Sequence, residues 1–457
     1  MANKKPLSRI KEGVFSRGLA LAKLSVTAGV KAASHVVGNA FANESEKSER
    51  LKELLLSQAK LLSRELGQLK GSLMKVGQML SMYGEHFLPA EANQFLKSLQ
   101  NQSPPLEWKA IEPVIKKQFT AEQLAQIEIN PEPLASASLG QVHVVTRKSD
   151  QAVWAMKIQY PGVDRAIEGD LKALKSILAV TKILPKGPQY DEIFKEVRQM
   201  LHQEVDYRRE LKLTQEFQAH LADDSRYIIP QVIPEFSTGR ILTTSFEKGL
   251  PIDSPEVLAL PLARRNALGE AYLDLYFREL FEFGAVQTDP HFGNYRVRLG
   301  ENGQADRLIL FDFGAVRKLT QPFMASYLKM VQGAHDRNPE KLIQGGIALE
   351  FLRKEDSDEI KALFVELSLL ITEPFFPLGT PDVHPEFFDQ EGNYCFELSD
   401  LPKRVAMKGS QFALAMKLRN PPREIVFLDR KLGGIFIFLS VLKVRFQCRA
   451  TIQKYFL

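Results

Sequence analysis

Apolar positions along the chain change period as they go, and each change marks an element. From residue 48 to about 83, Leu51, Leu54, Leu55, Leu61, Leu62, Leu66, Leu69, Leu73, Val76 and Leu80 recur in steps of three and four, which is one face of a helix. Glycines at 67, 71 and 77 interrupt that stretch. Each costs a helix roughly 1 kcal/mol against alanine, so they predict close approach of another backbone or a tight helix crossing. Pro104-Pro105 and the Asn130-Pro131-Glu132-Pro133 stretch punctuate the chain beyond this helix, and the period then falls to 2. Residues 141–146 and 152–158 read as paired strands around a turn at 147–150.

Helices are expected over about 163–183 and 191–219, and further strands near 231–235 and 240–245. Four or five antiparallel strands with helices on one side make an α+β lobe. From Pro261 onward helix dominates, broken by a hairpin of 295–299 with 307–312, whose Gly300-Glu301-Asn302-Gly303 link has strong turn chemistry. A loop rich in proline and aromatics spans about 373–394. The expected organisation is a basic segment over 1–47, a helical extension over 48–105, a strand-bearing lobe over 106–245 and a mostly helical lobe over 246–457.

Composition narrows the class. With 457 residues, 44% hydrophobic and 25% charged, the chain is globular in type and allows two to four compact units. Cys395 and Cys448 are too few for a disulfide framework or a thiolate metal site, which points to a reducing compartment. The net charge of +5 hides an asymmetry: residues 1–43 carry seven lysines and arginines against Glu12, a balance of +6, and the remainder is near −1. Apolar residues between those lysines fit adhesion to anionic lipid, a transit peptide or a basic tail. The most apolar run, 432–442, is closed in by Lys431 and Lys443. It is too short to span a bilayer and is expected to be a buried core helix. A nucleic-acid reader is excluded by the lack of an aromatic platform beside the basic residues, and no zinc-binding pattern exists among the eight histidines.

Five features fall in the order that phosphate chemistry requires. Ala135-Ser136-Ala137-Ser138-Leu139-Gly140-Gln141 is a run of small residues opening a strand, where backbone N–H groups can approach a polyphosphate. Lys157 lies in the middle of an apolar strand. If that strand is half-buried the ammonium needs an anionic partner; on an edge strand it needs none. The helix expected from 191 offers Glu196 and Glu204, eight residues apart and roughly on one face. Gln287-Thr288-Asp289-Pro290-His291-Phe292-Gly293-Asn294 puts an Asp and an Asn five residues apart on one loop. Phe311-Asp312-Phe313-Gly314 follows at the end of the hairpin. Asn and Asp oxygens are hard ligands suited to Mg²⁺, and a base beside such ligands is the arrangement of a kinase site.

Over residues 65–320 the chain resembles the UbiB family of atypical kinase-like ATPases, in the branch associated with coenzyme Q. The residues that carry the resemblance are Lys75-Val76-Gly77-Gln78, the run 135–141, Met156-Lys157-Ile158-Gln159-Tyr160-Pro161-Gly162, Glu204-Val205-Asp206-Tyr207, Asp289 through Asn294 and Asp312-Phe313-Gly314. The resemblance implies an α+β, two-lobed protein-kinase-like fold with an N-terminal helical extension over the active site. It implies nucleotide contact by Ala135, Ser136, Ala137, Ser138, Gly140 and Gln141, with Ser136 standing where the family has alanine. It further implies that Lys157 binds the α/β-phosphates and pairs with Glu204, that Asn294 and Asp312 hold Mg²⁺, and that Asp289 is the base. Lys75 and Gln78 would lie across the site and hinder protein substrates.

The function so implied is an ATP- and Mg²⁺-dependent ATPase that supports ubiquinone biosynthesis beside prenylquinone-type or anionic lipid and other biosynthetic enzymes. The expected location is the cytoplasmic face of a membrane, with the mitochondrion as the second choice. After Gly314 no Ala-Pro-Glu-like segment or Ser/Thr-rich activation loop is present, which argues against a conventional protein kinase. A lipid or small-molecule phosphotransferase and a nucleotide-sensing scaffold are the competing readings.

Overall fold

The computed structural model describes residues 74–80, 96, 105–137, 139–180, 188–301, 303–416, 419 and 422–456. The basic segment 1–47 and most of the expected helix 48–83 lie outside the described residues, while 74–80 are helical. The chain divides into two compact units, Met1–Lys212 with Gln231–Phe246, and Leu213–Pro230 with Glu247–Leu457. Residues 213–230 join the second unit because Leu213, Phe217, Leu221 and Tyr227 are buried in one core with Leu308 and Phe313.

In the first unit, helix α1 (Trp108–Gln118) precedes strands β1 (Ile127–Ser136), β2 (Gly140–Arg147) and β3 (Val153–Gln159). Helices α2 (Val163–Val180), α3 (Pro188–Glu204) and α4 (Tyr207–His220, of which only the part up to Lys212 belongs to this unit) and strand β4 (Ile241–Ser245) follow. The sheet is antiparallel in the order β1-β2-β3-β4. Period-2 alternation sends Trp154, Met156 and Ile158 of β3 into a core with Ile111 and Ile115 of α1. Each such burial is worth about 1.5–3 kcal/mol. Lys157 takes the opposite face, paired with Val142 on one side and Leu242 on the other. Its strand is therefore an inner one, and the edge-strand reading falls.

Three expectations need correction. The prolines at 131 and 133 do not end the preceding element but lie inside β1. An edge strand with bulges between Ile129 and Pro133 and between Pro133 and Ala135 tolerates their missing N–H groups. The strand expected at 231–235 reduces to one bridge, Val232 to Thr244, and a 3-10 turn at Pro234–Phe236. The helix expected over 191–219 is two helices. Asp206 starts the second, its Oδ1 accepting the N–H of Arg209 at 3.2 Å, and Gln159 Nε2 donates to the carbonyl of Val205 at the end of the first.

The second unit is built around α5 (Leu262–Phe281), buried on nearly all sides from Leu268 to Leu280. Strands β5 (Ala285–Gln287) and β8 (Val316–Lys318) form one antiparallel pair, and β6 (Tyr295–Arg298) and β7 (Arg307–Leu310) the expected hairpin. A two-residue strand, Tyr227–Ile228, runs parallel to β7. Its longer helices after these strands are α6 (Gln321–His335), α7 (Pro339–Ala348), α8 (Asp358–Ile371), α9 (Leu401–Ala415) and α10 (Arg423–Val441). The buried core helix expected at 432–442 is the second half of α10. Lys431 does not close that apolar run at the surface; it is 0% exposed, whereas Lys443 is exposed. Cys395 and Cys448 are buried and unbridged. Among the described residues no helix is long and apolar enough to cross a membrane.

Gln141 is fully buried beneath the first sheet. Its Oε1 accepts the N–H of Leu106 at 2.9 Å, so Nε2 faces His143 Nε2 at 2.8 Å. The imidazole proton then sits on Nδ1 and is donated to the carbonyl of Asn130, 2.7 Å away. Burial pushes this histidine below its ordinary 6.5, against the raising effect of that carbonyl. A group whose folded value is lowered contributes stability that is complete above 6.5 and is lost as pH falls through the folded value. The melting temperature should therefore fall on acidification below 6.5, and less steeply in His143→Gln; identical slopes for the two proteins would contradict this assignment.

Candidate active site

Lys157 finds its carboxylate in α4. Its Nζ lies 2.7 Å and 2.9 Å from the two oxygens of Glu210, a side chain only 2% exposed. It also lies 5.1 Å from the Tyr207 ring centre. Glu204, the expected partner, is taken by Lys75 at 2.8 Å. The physical reason is the break at 205–206: Glu204 ends α3, whereas Glu210 stands in the first turns of the separately capped α4. Lys75, on the helical stretch 74–80, thus approaches the same helix break, and Gln78 follows it half-buried. Both ion pairs are largely shielded from water, where removing one partner costs about 3–5 kcal/mol because the other charge is left uncompensated.

The small-residue run is the tip of the β1–β2 hairpin. Ala137 N–H donates to the carbonyl of Gly140 at 2.8 Å, and Ser136 Oγ lies 3.0 Å from the Tyr160 hydroxyl. Ala135, Ser136 and Ala137 are exposed, Ser138 is outside the described residues, and Gly140 and Gln141 are buried. The side chain of Gln141 is thus turned away from any ligand and spent on Leu106 and His143, which corrects its expected role. Gly140 is required by packing: a Cβ there would meet the Ile158 carbonyl oxygen at 2.4 Å and the Tyr207 hydroxyl at 2.9 Å.

In the second unit the structure gathers Asp289, Asn294 and Asp312. Gln287, at the end of β5, donates from Nε2 to the carbonyls of Asp289 (3.0 Å) and Asp312 (3.2 Å). Asn294 Nδ2 donates to the Asp289 carbonyl at 3.1 Å. The carbonyl of Asn294 accepts the N–H of Phe311 at 3.1 Å. Asp312 Oδ1 accepts the N–H of Gly314 at 2.9 Å, and Phe313 anchors the turn with its ring 4.7 Å from that of Phe217. The donor set fits a divalent cation. The amide nitrogen of Asn294 is committed to Asp289, so its oxygen is the atom it can offer a metal, a hard donor like the Asp312 carboxylate.

Helix α10 supplies what the motifs did not reveal. Arg430 Nη2 is 2.8 Å from Asp289 Oδ1. Lys431 Nζ lies 3.3 Å from Gln287 Oε1 and 3.0 Å from the Tyr295 hydroxyl. Gly434 rests against Pro290, where a Cβ would lie 2.2 Å from that ring's Cβ. Arg430 is 141 positions from Asp289, and no local pattern announces such a pairing. The one available signal was Gly433-Gly434 inside an otherwise strong helix, which asks for a close neighbour.

Residues 98–345 of the chain match the ABC1 atypical kinase-like domain. The chain belongs to the UbiB family of atypical kinases, in its coenzyme-Q-associated branch. The Saccharomyces cerevisiae protein named "Atypical kinase COQ8, mitochondrial" is 31% identical over 99% of this UbiB chain and 85% of its own length. The Caenorhabditis elegans "Atypical kinase coq-8, mitochondrial" is 30% identical over 84% of this chain and 49% of its own. Among solved structures, the Rv3197–erythromycin complex from Mycobacterium tuberculosis covers 90% of this chain and 98% of its own, with a TM-score of 0.58 and 24% identity. The α+β, kinase-like fold expected from the motifs is the fold of the chain.

The two glycines of α10 separate packing from propensity. Gly433→Ala meets nothing within 4 Å and should leave thermal stability unchanged or raise it, alanine being about 1 kcal/mol better in a helix. Gly434→Ala must displace Pro290 and should destabilise by about 1–3 kcal/mol. Equal melting temperatures for the two variants would contradict the close packing of α10 on the Asp289 loop.

Proposed function

We propose that this UbiB protein is a Mg²⁺-dependent ATPase that supports ubiquinone biosynthesis at a membrane surface. The observation that carries the reading is the Gln287 amide, which binds the Asp289 and Asp312 carbonyls at once. Through it the candidate base and a candidate metal ligand belong to one fixed cluster with Asn294. In this reading Asn294 and Asp312 hold the cation, and the ammonium of Lys157, oriented by Glu210, takes the α/β-phosphates. A bound Mg²⁺ supplies neutralisation of charge on the phosphates.

Asp289, held by Arg430 and Asn294, orients the attacking hydroxyl or water and receives its proton. The exposed residues Ala135 to Ala137 are the part of the hairpin tip available to the nucleotide. Water as acceptor, rather than a protein hydroxyl, fits a chain with no activation segment after Gly314. The balance of +6 over residues 1–43 supports attraction to anionic headgroups. The coenzyme-Q-associated branch supports prenylquinone-type lipids and other ubiquinone-biosynthesis enzymes as partners.

Purified chain given ATP and Mg²⁺ should release phosphate, faster with vesicles of anionic phospholipid, and Asp312→Asn should release none above background. Equal rates for the two proteins would contradict the site. Label from the γ-phosphate recovered on an extracted lipid would move the assignment to a lipid phosphotransferase.

A further inference from the structure

Lys431 and Glu279 take no direct part in the phosphate chemistry of the site, yet both are nearly sealed from water, with side chains 1% and 2% exposed. A buried ammonium is expensive unless its surroundings answer it. Glu279 Oε2 lies 3.6 Å from Lys431 Nζ, a charge pairing too long to be a hydrogen bond. The Tyr272 and Tyr295 rings lie 5.4 Å and 5.5 Å from the same nitrogen, near enough for their faces to attract it. Burial pushes the Glu279 carboxyl up to about 7, against the lowering effect of Lys431.

The direction of the hydrogen bonds shows what the lysine does. Gln287 uses both ends of its amide: Nε2 donates to the carbonyls of Asp289 and Asp312, and Oε1 faces the Tyr295 hydroxyl at 3.0 Å and Lys431 Nζ at 3.3 Å. A tyrosine hydroxyl donates or accepts and would tolerate the amide either way round. An ammonium only donates. Lys431 therefore forces Tyr295 to accept from it and to donate its own proton onward, and holds the oxygen of Gln287 on its side. Turned over, the amide would set its NH₂ against an ammonium and its oxygen against two carbonyls.

We propose that Lys431, balanced by Glu279, is a positioning residue: it fixes the orientation of the Gln287 amide and thereby the spacing of the Asp289 and Asp312 loops that receive the metal–nucleotide complex. This rests on the reading of Asn294 and Asp312 as cation ligands. Lys431 touches neither nucleotide nor metal; it acts through Gln287, as an outer hydrogen-bond partner acts on a metal ligand.

The test uses the full chain and the Mg²⁺ concentration that gives half of the thermal stabilisation by ADP. Lys431→Met alone leaves a buried carboxylate unbalanced, so Lys431→Met is combined with Glu279→Gln to keep the core neutral. In the double variant the required Mg²⁺ should rise about 10- to 100-fold, the range for lost outer-shell partners, with ADP affinity in the absence of Mg²⁺ unchanged. A double variant with the wild-type Mg²⁺ requirement would overturn the positioning role while leaving the cation site standing. A wild-type chain whose stabilisation by ADP is indifferent to Mg²⁺ would overturn the cation site, and this proposal with it.

Discussion

An ammonium group on an inner strand of a sheet has to be neutralised where it stands, and much of the first unit is arranged to do so. Lys157 stands between β2 and β4, on the face opposite the buried Trp154, Met156 and Ile158. Glu210 meets it with both oxygens, and can do so because the helix that would have carried it past is broken at 205–206. The break is itself supported from β3, by Gln159 against the Val205 carbonyl. One strand thus supplies both the cation and the side chain that shapes the element holding its partner. Lys75 uses the carboxylate the break leaves behind, Glu204, so two buried charges are balanced in a single local arrangement.

The second unit solves a different problem with the same economy of polar groups. Two loops, one after β5 and one after β7, must be held in register. Thr288 bonds the Ala315 carbonyl and Phe311 N–H the Asn294 carbonyl, the Gln287 amide joins the carbonyls of Asp289 and Asp312, and α10 contacts both the amide and the loop. It does so with Arg430 on Asp289, Lys431 on Gln287 and Gly434 on Pro290. Four hydrogen-bonding positions on one buried amide, all occupied, leave little freedom.

The parts legible in the sequence were those whose chemistry is local. Asp289 and Asn294 lie on one loop and Asp312 on a three-residue turn, so residue type and spacing announced them, and the structure brings them together. The alternation that placed Lys157 on a strand also placed it on the correct strand. Glu210 was hidden because its position depends on a helix break. The signal for that break, Asp206 as a cap, sat within a continuous helical pattern. Gln141 carried the right motif and the wrong inference: its neighbours are small and exposed, but its own amide is drawn inward by Leu106. Arg430 and Lys431 were hidden by distance along the chain. Lys431 in particular was read as the charge that ends an apolar run, the usual meaning of such a lysine, whereas burial against Glu279, Gln287 and two tyrosine rings reverses that meaning.

The arrangement of the first unit depends most on the identity of the carboxylate that answers Lys157. A double-mutant cycle measured by unfolding decides it, combining Lys157→Met with Glu210→Gln in one arm and with Glu204→Gln in the other. The Glu210 arm should show a coupling within about 0.5–3 kcal/mol, and the Glu204 arm should be additive to about 0.5 kcal/mol. Coupling of Lys157 to Glu204, with additivity toward Glu210, would contradict it.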